Sequence, residues 1–471
     1  MGAFFGSAVL SASESCRKPR RFEVTRFPIH GATPVTWPGP PPDAADVVVI
    51  GGGVIGVCTA LYLAEAGKSV ALLEKGRVAG EQSSRNWGWI RQQGRDPDEL
   101  PIMAEANALW RDLAQRTNVD IGLIQGGVTY LAKTQDDLAR YAAWLSHAQV
   151  HDVDSRLLSQ AEIADLIPGM ARPYAGALYT ASDMRAEPWV AVPALAGVAA
   201  RAGANVIENC AVRALDIEGG RVAGVITEAG RIRTSEVVLA GGAWSSLLLR
   251  RHGIALPQLS VRATVAATGP MPMVYPGGAA DDRIAFRPRK DGGYSLAAGG
   301  FHELFIGPDA FRALSKYLTQ LRADPFGTRF MLKAPKGYPD AWSTPRKWDA
   351  DGPSPFEAMR ILNPAPNRRK VDQLTRDFHE VLPGLGPVRI KTAWAGMIDT
   401  MPDVVPVVDR VAALPGLTIG TGMSGHGFGI GPGMGKVLAA LVMGDDPGHV
   451  LKRFRLSRFS DGSKMRLGPS V

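Results

Sequence analysis

An α/β fold organised around a Rossmann-like β-α-β unit is predicted by three successive stretches of the sequence. DVVVI at 46–50 is an unbroken β-branched run, the pattern of a parallel strand buried on both faces. GGGVIG and the helically spaced VCTALYLAEAG follow it, closing at Gly67, a helix-stopping residue. SVALLEK then supplies a second buried strand and completes the unit.

Within that unit Gly51, Gly53 and Gly56 have the spacing that permits a tight turn, backbone approach to a pyrophosphate and close helix packing. The helix that Val54 and Ile55 open turns its unpaired N–H groups and its dipole towards the phosphates. Glu74, followed by Lys75, ends the second strand where an acid accepts hydrogen bonds from ribose hydroxyls. Strand, glycines, helix, strand and terminal acid in this order predict dinucleotide binding.

The remaining elements follow along the chain. DELPIMAEANALWRDLAQ reads as an amphipathic helix with Leu100, Met103, Leu109, Trp110 and Leu113 on its apolar side. GVTYLAK is a strand, DDLARYAAWLSHAQ and SQAEIADLIPGM are helices, and a further helix opens on Pro188. ANVIENCAVRALDI, RVAGVIT and RIRTSEVVLAGGAW read as three strands joined by tight glycine turns, a second contribution to the nucleotide-binding domain. Strands at LSVRATVAAT and GGYSLAAGG, a helix near FRALSKYLTQLRA and a Pro- and Trp-rich segment at 324–366 belong to a different unit. LTIGTGMSGHGFGIGPGMGKVLAALVMG returns to strand, glycine loop and helix.

The expected domains are therefore interleaved. Residues 45–120, 175–250 and 393–450 make the nucleotide-binding domain; 121–174 and 251–392 make an α+β substrate domain with an antiparallel sheet and an insertion at 324–366. Residues 1–44 read as a proline-rich, partly disordered extension and 451–471 as a basic, solvated tail.

Composition bounds the function. The 471 residues, 45% hydrophobic and 21% charged, exclude a disordered chain and a polytopic membrane protein. A net charge of +8 favours anionic substrates or an acidic membrane surface, without the aromatic and arginine interleaving of a nucleic-acid module. Three widely spaced cysteines argue against a disulfide framework or a metal site and fit a reducing, cytoplasmic compartment. AFFGSAVLSA near the start is far shorter than the roughly 20 apolar residues of a membrane span.

Several separated motifs now carry a resemblance. DVVVIGGGVIG, EKGRVAGEQSSR, ITEAGRIRTSEVVLAGG, WDADGPSPFE and WAGMIDTMPDVVPVVD together resemble the FAD-dependent amino-acid and amine oxidoreductases, above all the bacterial L-amino acid deaminases. Sarcosine and glycine oxidases and D-amino-acid dehydrogenases belong to the same superfamily. The resemblance implies an FAD-binding, three-layer β/β/α domain. It places Ser83, Ser84 and Gly88 along the cofactor, Val212 and Ala240, Gly241 and Gly242 at its adenine side, and Gly396 and Gly425 to Gly429 near its ring. The cofactor is expected to be non-covalent, because the cysteine that bonds the ring in sarcosine oxidases falls at Met397.

In GMSGHGFGIGPGMGK, the backbone donors of Gly425, Gly427, Phe428 and Gly429 aim at one spot ahead of an apolar helix, where they stabilise the negative charge of a reduced flavin. His426 stands where sarcosine oxidases also carry a histidine and deaminases a tryptophan; it contacts cofactor or substrate, or braces the loop. An amine bound neutral needs little further protein chemistry, because its lone pair assists hydride departure and positioning dominates.

The substrate anchors depart from every relative. The deaminase glutamine falls at Trp89 and its carboxylate-binding arginine at Gly299; the sarcosine oxidase lysine is Gly429, and the glycine oxidase arginine is Ile398. A buried substrate carboxylate needs a cation. Arg91 is the first candidate, by resemblance to the sarcosine oxidase arginine of this loop, against a structural ion pair with Asp96 or Asp98. Arg287 and Arg289 are weaker candidates, because a neighbouring turn reads them as exposed hairpin residues. Asp399 is expected either to meet a substrate amine or to cap its loop. Trp87 and Trp89 wall the pocket or simply pack.

The function expected is oxidative deamination of an amino acid or secondary amine, with electrons passed to oxygen or to a membrane quinone or cytochrome. A 2-hydroxy acid dehydrogenase with His426 as base, and the flavin-binding subunit of a heteromeric amine or opine oxidase, are the alternatives. The 324–366 segment is a candidate for peripheral contact with the inner membrane.

Overall fold

Val47–Ile50 lies inside a six-stranded sheet in the order Val407–Arg410, Leu417–Thr421, Glu236–Leu239, Val47–Ile50, Val70–Leu73, Asn205–Ile207. All neighbours are parallel except the first pair. The computed structural model describes residues 27–300 and 302–468, so the expectation for residues 1–26 lies outside it.

Alternation along the central strand builds three layers. Val47 and Val49 pack with the helices Val54–Glu65, Pro188–Arg201 and Gly427–Met443, whereas Val48 faces a core containing Val222, Val225 and Ile232 of the three-stranded meander. A strand covered on both faces has no polar side to present, hence its continuous β-branched sequence.

The meander differs from the expected three strands. Its paired members are Val212–Glu218, Arg221–Thr227 and Gly230–Arg233, and the flanking Asn205–Ile207 and Glu236–Leu239 join the parallel sheet instead. The first break falls at Glu208 and Asn209: the buried Glu208 carboxylate accepts hydrogen bonds from Thr36 N, Trp37 N and Val78 N, and Asn209 adopts φ 54°. Asn is among the few residues that tolerate this left-handed region. Between the first two meander strands, Gly219 and Gly220, at φ 57° and 77°, meet the demand of a two-residue hairpin.

A larger, mainly antiparallel ten-stranded sheet stands beside the first. Its longest strands, Leu259–Thr268 and Ile390–Thr400, are paired along most of their length, and the second brings Gly396, Ile398 and Asp399 to the junction between the sheets.

The glycines after residue 430 serve packing. A Cβ on Gly435 would lie 2.4 Å from Cys58 Cβ, and one on Gly433 would lie 2.6 Å from Ile102 O. Their absence lets Gly427–Met443 sit directly on Val54–Glu65 and Leu100–Arg116.

Both ends of the described chain, though largely exposed, are anchored by buried residues. Phe27 is buried, stacks near Trp394 and lies under the Arg85 guanidinium, 4.5 Å from its ring. At the other end Phe454 is wholly buried, while Arg453 and Arg458 bond Asp403 at 3.0 and 2.8 Å. Those two arginines neutralise a buried carboxylate, while Lys452, Lys464 and Arg466 face water. Among the described residues no helix is long and apolar enough to cross a membrane.

Candidate active site

One cavity of about 1140 Å³ runs between the two sheets, above the roughly 300–1,000 Å³ usual for one small ligand. Its first part is built on main-chain turns. Gly51, Gly53, Val54 and Ile55 line it at the end of the central strand, with Ala240, Gly241 and Gly242 across from them. Gly51 has φ 111°, and a Cβ there would lie 2.4 Å from Ala240 O, so only glycine allows the two turns to meet. Glu74 lines the same end with its carboxylate held by Gly52 N at 2.8 Å and Gly76 N at 2.7 Å. Burial pushes this carboxyl up to about 7, against the pull of Lys75 and the two amides. Lys75 also lines the cavity, bonded to Glu81 at 2.7 Å and lying 4.4 Å from the Trp244 ring. Val212 and Cys210 close this end.

Ser83 lines the cavity, and its hydroxyl accepts from Val54 N at 2.9 Å, tying the 82–85 turn to the helix N-terminus. Three residues expected on the cofactor are not in the wall. Ser84 is buried and turns back to Glu81 O at 3.2 Å. Gly88, at φ 78°, allows close approach of Ala186 O and Arg287, and a Cβ on Gly56 would lie 2.0 Å from Gly51 O. Gly56 thus fulfils the packing part of its motif, while Ser84 and Gly88 support neighbouring elements.

The second part begins at Gly425, His426, Gly427, Phe428 and Gly429, all lining the cavity at the start of the Gly427–Met443 helix. Gly429 lies against the Trp89–Ile90 strand, where a Cβ would stand 3.2 Å from Ile90 Cα. Trp87 and Trp89 form an edge-to-face pair at 5.3 Å and both face the cavity, with Gly396 and Ile398 on the opposite strand.

Arg91 and Arg95 line this part although both are buried. Arg91 lies over the Tyr130 ring at 4.9 Å and donates to Gln93 O; Arg95 Nε donates to Arg91 O at 3.1 Å, and its buried Nη1 has no hydrogen bond. Among the described residues neither guanidinium has a carboxylate within 4.0 Å. Burial and the charge on Arg91 pull Arg95 down to about 9. The alternative of an Arg91 ion pair with Asp96 or Asp98 is not realised, since those carboxylates face Arg453 and Arg466.

One further expectation is corrected. Arg287 and Arg289 are not exposed: Arg287 is 1% accessible and binds Glu187 through two bonds of 2.7 and 3.2 Å, while Arg289 pairs with Asp291. Burial tends to raise the Glu187 carboxyl, but Arg287 and Lys290 N outweigh it and hold it below the ordinary range. Asp399 lines the cavity, and of its two expected roles the loop-capping one is the one its hydrogen bonds fill. Its Oδ2 accepts from Gly422 N at 2.7 Å and Gln258 Nε2 at 3.2 Å, so it fastens the loop that leads into the second glycine motif. Burial raises its carboxyl. Met397 is buried outside the cavity wall, and Gly299 is in it.

Arg95, Glu99, Tyr130 and Tyr141 were not signalled as site residues. Only Arg95 had a cue, as a second arginine four positions after Arg91 in the same loop.

A dinucleotide cradle made of glycine turns and helix N-termini, opening into a cavity under a second glycine loop, defines a flavin-binding oxidoreductase. Comparison with known proteins agrees: residues 46–441 match the model of the family described as FAD dependent oxidoreductase, and the chain belongs to that family. FAD is its cofactor. The chain is 29% identical to L-amino acid deaminase from Proteus myxofaciens, with TM-score 0.86 and coverage of 94% of this chain and 99% of the other. Sarcosine oxidase subunit beta of Rhizobium meliloti is 27% identical over 90% of this chain and 91% of its own. Human mitochondrial sarcosine dehydrogenase is 34% identical over 237 residues, and that match spans about a quarter (26%) of its length.

Proposed function

We propose that the chain oxidises an amino acid or an N-substituted amino acid at the carbon bearing nitrogen. The observation that carries this reading is the pair of buried guanidiniums, Arg91 and Arg95, without carboxylate partners in the same cavity as the 425–429 loop. Glu99 and Asp183 act on these guanidiniums only from beyond 4.0 Å, and a substrate carboxylate would supply the direct charge-assisted bonds that neither makes. The 51–56 turn, Glu74 and the two glycine loops would hold FAD, which would supply the two-electron oxidation. The chain's own residues do the rest: Arg91 and Arg95 orient the carboxylate, Trp87 and Trp89 exclude water, and helix N-terminal amides favour negative charge on the reduced ring.

A screen of L-amino acids, D-amino acids, N-methyl amino acids and opines, read by dye reduction, tests this. Turnover confined to carboxylate-bearing amines supports it; equal turnover of the matching decarboxylated amines rejects it. Similarity to sarcosine oxidase subunit beta over nine-tenths of both chains supports a second reading, in which the chain turns over within a heteromeric oxidase.

Electron transfer to a membrane carrier is favoured over oxygen by one surface. Phe311, Phe326, Leu332 and Trp342 are exposed on 308–342, beside exposed Arg322, Arg329, Lys333 and Lys336. Apolar and basic side chains exposed along one segment suit an acidic bilayer. Co-flotation with phosphatidylglycerol vesicles, absent with neutral vesicles, is expected; flotation with neither removes this surface from the reading.

A further inference from the structure

We propose that Glu99 is a positioning residue which receives, through His426, the proton that an amine substrate loses before oxidation. This rests on the amine-oxidising reading above. His426 lines the cavity immediately before the Gly427–Met443 helix, and Glu99 lies fully buried behind it, immediately before Leu100–Arg116. His426 Nδ1 stands 3.3 Å from Glu99 Oε2. Among the described residues neither that nitrogen nor either Glu99 oxygen has an aligned hydrogen bond. A carboxylate buried with no bond is expensive, and folded chains keep such groups chiefly where chemistry uses them. Catalytic contacts in ligand-free sites are often long and tighten only with substrate bound.

The surrounding charges give the contact a direction. Burial, with the guanidiniums of Arg95 and Arg91, holds the His426 imidazole well below its usual range, so a full positive charge does not rest on the ring. Glu99 behaves oppositely. Burial pushes its carboxyl up to about 7 although Arg95, Arg453 and Arg91 pull it down, and Asp403 adds to the push. Asp96, on the same turn, lies 3.8 Å from Arg453. A histidine alone beside two arginines is a poor base; a histidine that hands its proton to a buried carboxylate is a competent one.

The bookkeeping of the step is simple. The substrate ammonium N–H bond breaks and a bond from that proton to His426 Nε2 forms. The Nδ1 proton passes to Glu99 Oε2, so the ring ends neutral and Glu99 ends as the acid. The electron pair stays on the substrate nitrogen, ready to assist hydride departure to the flavin.

Nitrogen-15 NMR of histidine-labelled, flavin-loaded protein without substrate tests the dyad independently of turnover, with His426 assigned by its loss in His426→Gln. The Nδ1-protonated tautomer above neutral pH is expected; an Nε2-protonated ring throughout the alkaline range overturns the proposal. The second readout is the pH dependence of kcat on an amine that is turned over. Wild type is expected to plateau above neutral pH. Glu99→Gln should lose about 100-fold at neutral pH and climb steadily towards the ionisation of the free amine, and Glu99→Asp should restore part of the plateau. An unchanged profile in Glu99→Gln sinks the relay while leaving amine oxidation intact. Should no amine reduce the flavin, the NMR result alone decides the relay.

Discussion

The end of the cavity proposed for the nucleotide is shaped by glycine turns; the end proposed for the substrate is shaped by buried side chains carried on distant segments. The nucleotide end is made by Gly51, Gly53 and the 240–242 turn, and its geometry follows from what lacks a Cβ. The end proposed for substrate is lined by Arg91, Arg95, Tyr130 and His426, where burial and the neighbouring guanidiniums lower the pKa of Arg95 and of His426. The first kind of site tolerates no added atom. The second tolerates atoms and is sensitive to charge.

That difference orders the expected effects of substitution. Gly51→Ala is the most damaging, because its Cβ meets Ala240 O at 2.4 Å in a backbone conformation that disfavours side chains. The purified variant is expected to be colourless at normal yield, read by visible absorbance per chain. Retention of full flavin would erase the contrast between the two ends. Arg91→Ala comes next. Losing one partner of a desolvated charge pair costs about 2–5 kcal/mol, so kcat/KM for carboxylate-bearing amines should fall roughly 30- to 5,000-fold, mostly through KM. An unchanged KM removes Arg91 from substrate binding.

Arg287→Ala separates structural from functional arginines. It leaves Glu187 buried and unpaired, a loss of about 3–5 kcal/mol in stability with KM unaltered in whatever folds. Glu187 has a lowered folded pKa, so the pair's contribution is present above the unfolded glutamate value of about 4.3 and is lost as pH falls through the lower folded one. Thermal melts from pH 7 to pH 3 should therefore show wild type and Arg287→Ala converging at the acid end. The smallest effect belongs to Phe326→Glu, where the ring is 92% exposed: stability should change by less than about 0.5 kcal/mol while vesicle flotation weakens.

The same division explains what could be read from the chain. The glycine turn, its helix, both buried strands and the 425–429 loop carry local signals, because backbone-made structure needs particular residues at fixed spacing. The large antiparallel sheet was announced only by fragments such as LSVRATVAAT, since its order depends on pairings between distant segments. Arg287 reads as exposed because the turn beside it is local, whereas its partner Glu187 lies 100 residues away in sequence. Glu99 had no cue, because an acid before a helix looks like an ordinary solvated first turn until His426 is placed against it. Asp399 was legible as an alternative, and the loop-fastening role is the one its three acceptor contacts carry.

Anaerobic mixing of the purified, flavin-loaded chain with amino acids and their decarboxylated counterparts tests the central claim most directly. Bleaching of the flavin band by carboxylate-bearing amines alone is the result expected from Arg91 and Arg95 in the cavity wall. A band that no amine bleaches, in a protein that holds its full complement of flavin, would contradict it.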